Sequence, residues 1–158
     1  MPHIYEKIDF TVEVFIVFKN KLLLRMHDKH KIWLSVGGHI ELNEDPIEAA
    51  IREVREEVGL EIKIIGDAHG PDNGSKENRG YTYLIPPRYL GRHPVSENHE
   101  HIAFVYFATC DSDGIKESKS EHERSETRWV SMKELETMDL VPNVRFYATE
   151  ALKELSKK

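Results

Sequence analysis

Carboxylates gather in one short stretch of this chain: Glu41, Glu44, Asp45, Glu48, Glu53, Glu56 and Glu57. Charges so close together are either a solvated surface or the oxygen cage of a hard divalent cation, and the choice decides the chemistry. On a helix turning 100° per residue, Glu53, Glu56 and Glu57 project at about 0°, 300° and 40°, beside an apolar stripe centred near 120°. At positions i, i+3 and i+4 they reach a common point. Without a counter-ion they raise one another's pKa and destabilise the helix, and Mg²⁺ or Mn²⁺, which take oxygen ligands, reverses that sign. Arg52 stands four residues from both Glu48 and Glu56, so it can brace a carboxylate without occupying the metal position. The competing reading is an ordinary solvated helix face with a few i,i+4 ion pairs.

A helix must hold these side chains, and its limits are written in the sequence. Asp45 is a good N-cap, Pro46 suits the first helical position, and Glu48 completes an Asp-x-x-Glu capping box. Ile47, Ala50, Ile51, Val54 and Val58 recur at helical spacing as one apolar stripe, and Gly59 stands where a left-handed residue would end the helix. Before it, residues 11–18 and 22–26 read as the two strands of a hairpin, and 31–36 as a short third strand ending at Gly37-Gly38. After it, strands are predicted at 61–65, 81–85 and 101–110, the last apolar on both sides and therefore central. Residues 127–130 form a short strand, and 132–138 and 143–155 two further helices, the second burying Val144, Tyr147, Ala148, Ala151, Leu152 and Leu155. The polar segments 66–80 and 111–126 are long for loops and are candidate substrate loops. The whole suits a single α/β domain over residues 1–158, a mixed sheet with helices on both faces.

Bulk properties narrow the function. The chain has 158 residues, 39% hydrophobic and 32% charged, a globular rather than disordered balance. Apolar runs are too short for a membrane span, and the N-terminus shows no secretory pattern. The single Cys110 is expected as a buried or half-buried thiol in a reducing cytoplasm. A net charge of −6 without a basic stripe disfavours a nucleic-acid partner.

Gly38, five residues, Glu44, seven residues and then Arg52-Glu53-Val54-Arg55-Glu56-Glu57-Val58-Gly59-Leu60 resembles the complete Nudix signature. The approach Trp33-Leu34-Ser35-Val36-Gly37-Gly38-His39-Ile40-Glu41 is also similar, with Val36 where a proline is common and Asn43 where a glycine is common. The resemblance implies an αβα sandwich and a Mg²⁺-dependent (Mn²⁺ possible) hydrolase acting on a nucleoside diphosphate linked to a further group. It implies Glu53, Glu56 and Glu57 as metal ligands, with the Gly38 carbonyl adding another. By the same resemblance Arg52 orients a ligand glutamate and Glu44 supports the loop or the metal's water shell. The general base would be Glu56 or Glu57, or a loop carboxylate among Glu97, Glu100, Glu121, Glu123 and Glu126.

Substrate contacts are less determined. Arg25 at a strand end is set against a phosphate or plain exposure, and His99 and His101 against a nucleotide pocket or a wet strand edge. Trp33 and Tyr81 could stack on a base or belong to the core. His93, His99 and His101 have no further ligand at conventional zinc spacing. The expected substrate is a small nucleotide, a nucleoside triphosphate among the candidates, with ADP-ribose or a nucleotide sugar as alternative. A non-catalytic nucleotide-sensing module is the third reading. The chain is expected as a monomer or homodimer.

Overall fold

Strand β1 (Ile8–Phe18) sends its side chains into two different cores. Val12, Val14 and Ile16 enter one hydrophobic cluster, and Phe15 and Val17 enter another across the sheet, as the two-residue period of a strand requires. The structure is a computed structural model and describes residues 6–71, 79–116 and 125–157. After β1 come β2 (Lys21–His27), β3 (Ile32–Leu34), β4 (Val36–His39), α1 (Pro46–Val58) and β5 (Ile62–Ile64). Then follow β6 (Tyr89–Ser96), β7 (His99–Cys110), β8 (Thr127–Val130), α2 (Met132–Thr137) and α3 (Pro142–Leu155).

These strands form one mixed sheet. β1 and β7 run parallel from Ile8↔Glu100 to Val17↔Thr109, and every other pairing is antiparallel. Opposite β7, the other edge of β1 is shared. β4 takes its first half, Thr11↔His39 to Val14↔Val36, and β2 its end. β2 also carries β3 and β8, and β7 carries β5 and β6. α1 covers one face with Ala49, Ala50, Val54 and Val58, and α2 and α3 cover the other with Leu135, Val144, Ala148, Ala151 and Leu152. The expected αβα sandwich forms.

The signals at the ends of α1 are realised atom by atom. Asp45 Oδ1 accepts from the Ile47 and Glu48 amides at 2.8 and 3.0 Å, and Glu48 Oε2 accepts from the Asp45 amide at 2.9 Å. Gly59 closes the helix at φ 67°, where a side chain would be strained. The buried stripe differs in detail: Ala49 and Glu53 are buried, and Ile51 is half-buried. The core-facing side of α1 is thus rotated towards the glutamates.

Three strand expectations need correction. Residues 81–85 form no strand, because Pro86 and Pro87 follow at once and the edge of β7 is taken by β6 instead. β6 carries Gly91 and Pro94, which weaken a strand pattern but are tolerated at a sheet edge, here with a register shift between Pro94 and Ser96. The third strand is two: it breaks at Ser35, and β4 continues through both glycines to His39.

Val54 is fully buried between α1 and the sheet. Val54→Ala leaves the glutamates in place and is expected to lower stability by roughly 1–3 kcal/mol through the cavity it opens. Thermal or urea unfolding of the metal-free protein measures this, and an unchanged midpoint would contradict the packing described.

Candidate active site

Arg52 ties the polar face of α1 to the loop before it. Its Nη1 donates to Glu53 Oε1 at 2.9 Å and to Glu56 Oε2 at 3.2 Å. Nε and Nη2 grip both oxygens of Glu44 at 2.9 and 2.6 Å, and Nη2 also donates to the His39 carbonyl at 3.0 Å. Glu44 in turn accepts from the Glu41 amide at 2.9 Å. Glu57 is held separately, by Arg25 Nη1 at 2.8 Å and the Gly37 amide at 3.2 Å. Burial pushes the Glu53 carboxyl above its ordinary range, against the pull of Arg52. The Arg52 hydrogen bond holds Glu44 below its ordinary range.

Gly37 and Gly38 are required by contact. A Cβ on Gly37 would lie 2.0 Å from the Val12 carbonyl oxygen, and one on Gly38 would lie 2.4 Å from Glu53 Oε1. Both glycines also line a cavity of about 200 Å³ whose wall includes Thr11, Glu13, His39, His93, His101 and Asn143. The two residues therefore stand between the carboxylates of α1 and this cavity.

Sheet register assembles the far end of the cavity. Asp9, Thr11 and Glu13 alternate with Val12 and Val14 on β1, and thus share the α3 face with Phe15 and Val17. Asp9 pairs with His101, His101 with His93, and Thr11 with His39. Asp9 is wholly buried, with Oδ2 3.3 Å from His39 Nε2 and 3.2 Å from His99 Nε2. Asp9, His39 and His101 each present a ligand atom within 4.8 Å of the others, a candidate metal-binding triad. Burial first, then the neighbouring His39, His93 and His99, pushes His101 down to about 4. Burial raises the Glu13 carboxyl, and burial first, then Glu13, raises the Tyr147 hydroxyl.

The structure brings Glu44, Arg52, Glu53, Glu56, Glu57 and Gly38 together. Arg25 joins them through Glu57 rather than standing exposed. His101 lines the cavity, whereas His99 is buried beside Asp9 with its Nδ1 3.2 Å from the Glu6 carbonyl. Trp33 packs into the α3-side core, and Tyr81 is exposed with its ring against Tyr83. Of the carboxylates expected on loops, Glu100 instead lies in β7, paired with both β1 and β6 and 3.8 Å from Arg92, and the Glu126 carbonyl accepts from the Met26 amide beside Arg25. Glu97 is exposed in the turn between β6 and β7, and Glu121 and Glu123 lie outside the described residues. Asp9, Glu13, His39 and Asn143 were not singled out from sequence. The available signal was the polar residues Asp9, Thr11 and Glu13 alternating within an apolar strand.

A sequence profile described as the NUDIX domain matches residues 9–151, from the start of β1 into α3. The chain belongs to the Nudix hydrolase family. A solved structure of a NUDIX-family hydrolase from Clostridium perfringens is 41% identical, superimposes with a TM-score of 0.82, and is matched over 94% of this chain and 98% of that one. A MutT NUDIX hydrolase from Burkholderia pseudomallei, 20% identical with a TM-score of 0.63 over 96% and 100% of the two chains, shares the fold. An m7GpppN-mRNA hydrolase of Xenopus laevis, NUDT17, is 37% identical over 64 residues, 37% of this chain and only 22% of that protein. Among the described residues no helix is long and apolar enough to cross a membrane.

The Nudix loop makes two separable predictions. Gly37→Ala drives a methyl into rigid backbone and is expected to lower stability by several kcal/mol or prevent folding. Gly38→Ala meets only the end of a side chain. It should fold, with Glu53 displaced and Mg²⁺ affinity reduced at least about tenfold, roughly 1.4 kcal/mol. Unfolding curves and Mg²⁺ titration of both variants check the pair. Equal melting of the two would contradict the contact geometry.

Glu13 gives a pH-dependent prediction. Its folded pKa lies above the ordinary 4.5, so wild type has its full stability below that value and loses it as pH rises through the raised one. The loss is about 1.4 kcal/mol per pH unit between the two values. Glu13→Gln cannot ionise and should melt higher than wild type at about pH 8, the gap closing towards about pH 4. A constant gap across that range would refute the raised carboxyl.

Proposed function

We propose that this Nudix protein is a Mg²⁺-dependent pyrophosphohydrolase that cleaves a nucleoside diphosphate linked to a further group, with water attacking phosphorus. The observation that carries the proposal is the shared wall: Gly37 and Gly38 touch Glu57 and Glu53 and also line the cavity. About 200 Å³ is less than the roughly 300–1,000 Å³ that encloses a drug-sized ligand. The cavity therefore accepts one end of a nucleotide, and the diphosphate passes the glycines towards α1. Thr11, Glu13 and Asn143 present polar atoms to the end that enters.

The donor set suits a hard cation. Glu53, Glu56 and Glu57 offer oxygens alone, the Gly38 backbone lies close against Glu53, and Arg52 and Arg25 already counter the charge of all three carboxylates. The three glutamates with the Gly38 carbonyl would hold Mg²⁺, which when bound neutralises phosphate charge and acidifies water. Arg52 keeps Glu53 and Glu56 aimed at one point while Glu44 fixes Arg52. Arg25 positions Glu57, and its cationic head also stands where the phosphates arrive. With all three glutamates in place, a nucleotide-sensing module that has lost catalysis is disfavoured.

The deciding experiment is a panel at saturating Mg²⁺: canonical and oxidised nucleoside triphosphates, ADP-ribose, nucleotide sugars, dinucleoside polyphosphates and phosphomonoesters, ranked by kcat/KM. Hydrolysis of a diphosphate linkage is expected, abolished by chelator. Preference for phosphomonoesters by a wide margin would overturn the substrate class. Glu56 has a side chain 58% exposed, so Glu56→Gln should change metal-free stability by no more than about 0.5 kcal/mol. Its rate should fall about 10²-fold or more, roughly 3 kcal/mol of transition-state stabilisation. Normal melting with a near-normal rate would reduce the carboxylate face to a solvated surface.

A further inference from the structure

We propose that Asp9, His39 and His101 form a second divalent-cation site, with the donor preference of zinc, on the sheet face opposite the carboxylates of α1. Their three ligand atoms already lie within 4.8 Å of one another. Zinc bonds of about 2.0–2.1 Å place neighbouring ligand atoms of a tetrahedron about 3.3 Å apart. Asp9 Oδ2 and His39 Nε2 stand 3.3 Å apart, one such edge in length. His101 must close by at most about 1.5 Å to complete the face, a movement that rotation about its two side-chain bonds supplies.

The surroundings favour a metal over a simple ion pair. Asp9 is wholly buried, a position in which a carboxylate needs both charge and orientation. His99 provides the orientation, with Nε2 3.2 Å from Asp9 and Nδ1 3.2 Å from the Glu6 carbonyl. Such outer partners commonly fix a ligating carboxylate. His39 and His101 line the cavity, where His93 also stands, across from His101 in the β6–β7 register.

Donor chemistry separates this site from the one on α1. Imidazole nitrogens with one carboxylate suit Zn²⁺ and its neighbours among the transition metals, whereas carboxylates alone suit Mg²⁺. The two sites therefore select different ions from the same solution. Two of the three ligands, His39 and His101, line the cavity wall, so an ion held there would stand beside whatever part of a ligand enters.

Zn²⁺ and Co²⁺ are the probes, titrated into metal-free full-length protein with excess Mg²⁺ occupying the carboxylates. Calorimetry should give one ion per chain, and Co²⁺ should show visible absorption bands of nitrogen ligation. His101→Ala and the more conservative His101→Gln should each weaken binding at least about 10–100-fold, with melting curves confirming that they fold. Double substitution of the pair His27 and His30, whose rings lie 4.8 Å apart, should leave the affinity unchanged. Absence of Zn²⁺ binding, unaltered affinity in both folded His101 variants, or loss of binding with the His27 and His30 pair would each overturn the proposal.

Discussion

Arg52 is the interaction on which the polar half of this structure depends. One guanidinium satisfies Glu44 through two bonds, Glu53 and Glu56 through one each, and the carbonyl of His39. A planar donor fork can meet several acceptors in fixed directions, which a lysine ammonium cannot do. The consequence is mechanical as well as electrostatic. The loop from β4 to α1 is fastened to the helix by the same side chain that offsets the repulsion among its glutamates. Burying Glu53 raises its carboxyl, and Arg52 opposes that shift. The arrangement thus sets a hydrogen-bonded cation against the desolvation of a carboxylate in the core face of the helix.

The second constraint is the alternation of β1. Its even-numbered positions Val12, Val14 and Ile16 pack towards α1, and its odd-numbered Phe15 and Val17 towards α3. On the odd side the strand changes character along its length, from Asp9, Thr11 and Glu13 to Phe15 and Val17. Apolar packing against α3 therefore gives way to a polar cavity at one end of the same face. Parallel pairing with β7 then sets His101 beside Asp9 and Val105 beside Glu13. A slip of one residue in this register would carry all of these side chains to the other face, so the buried apolar half of β1 also fixes the cavity residues.

Legibility from sequence followed the range of the interactions. The cap, start, face and stop of α1 are local, and Asp45, Pro46, Glu48 and Gly59 do what their types suggest. The αβα layering was legible too, because β7 is apolar on both faces and α3 has one buried stripe. What stayed hidden needed a partner distant in sequence. Arg25 reads as an exposed strand end until β2 is set beside α1 and Glu57 comes within 2.8 Å. His101 shows no metal spacing in the sequence because the other members of its candidate triad, Asp9 and His39, come from β1 and β4. β6 was missed for a related reason. With Gly91 and Pro94 it has little strand pattern of its own, and it is held by the exposed edge of β7.

The four residues of β4 make the two halves of the molecule one device. Gly37 donates its amide to Glu57, Gly38 lies against Glu53, and His39 turns its side chain to Asp9 while its carbonyl accepts from Arg52. Successive residues of a strand face opposite ways, so three neighbours can serve the α1 face and the cavity face without any bend in the chain. The antiparallel ladder from Thr11 to Val14 fixes this segment against β1, and at Gly37 the Val12 carbonyl leaves no room for a side chain. Arg52 therefore links the glutamates to the backbone of the residue whose side chain reaches Asp9.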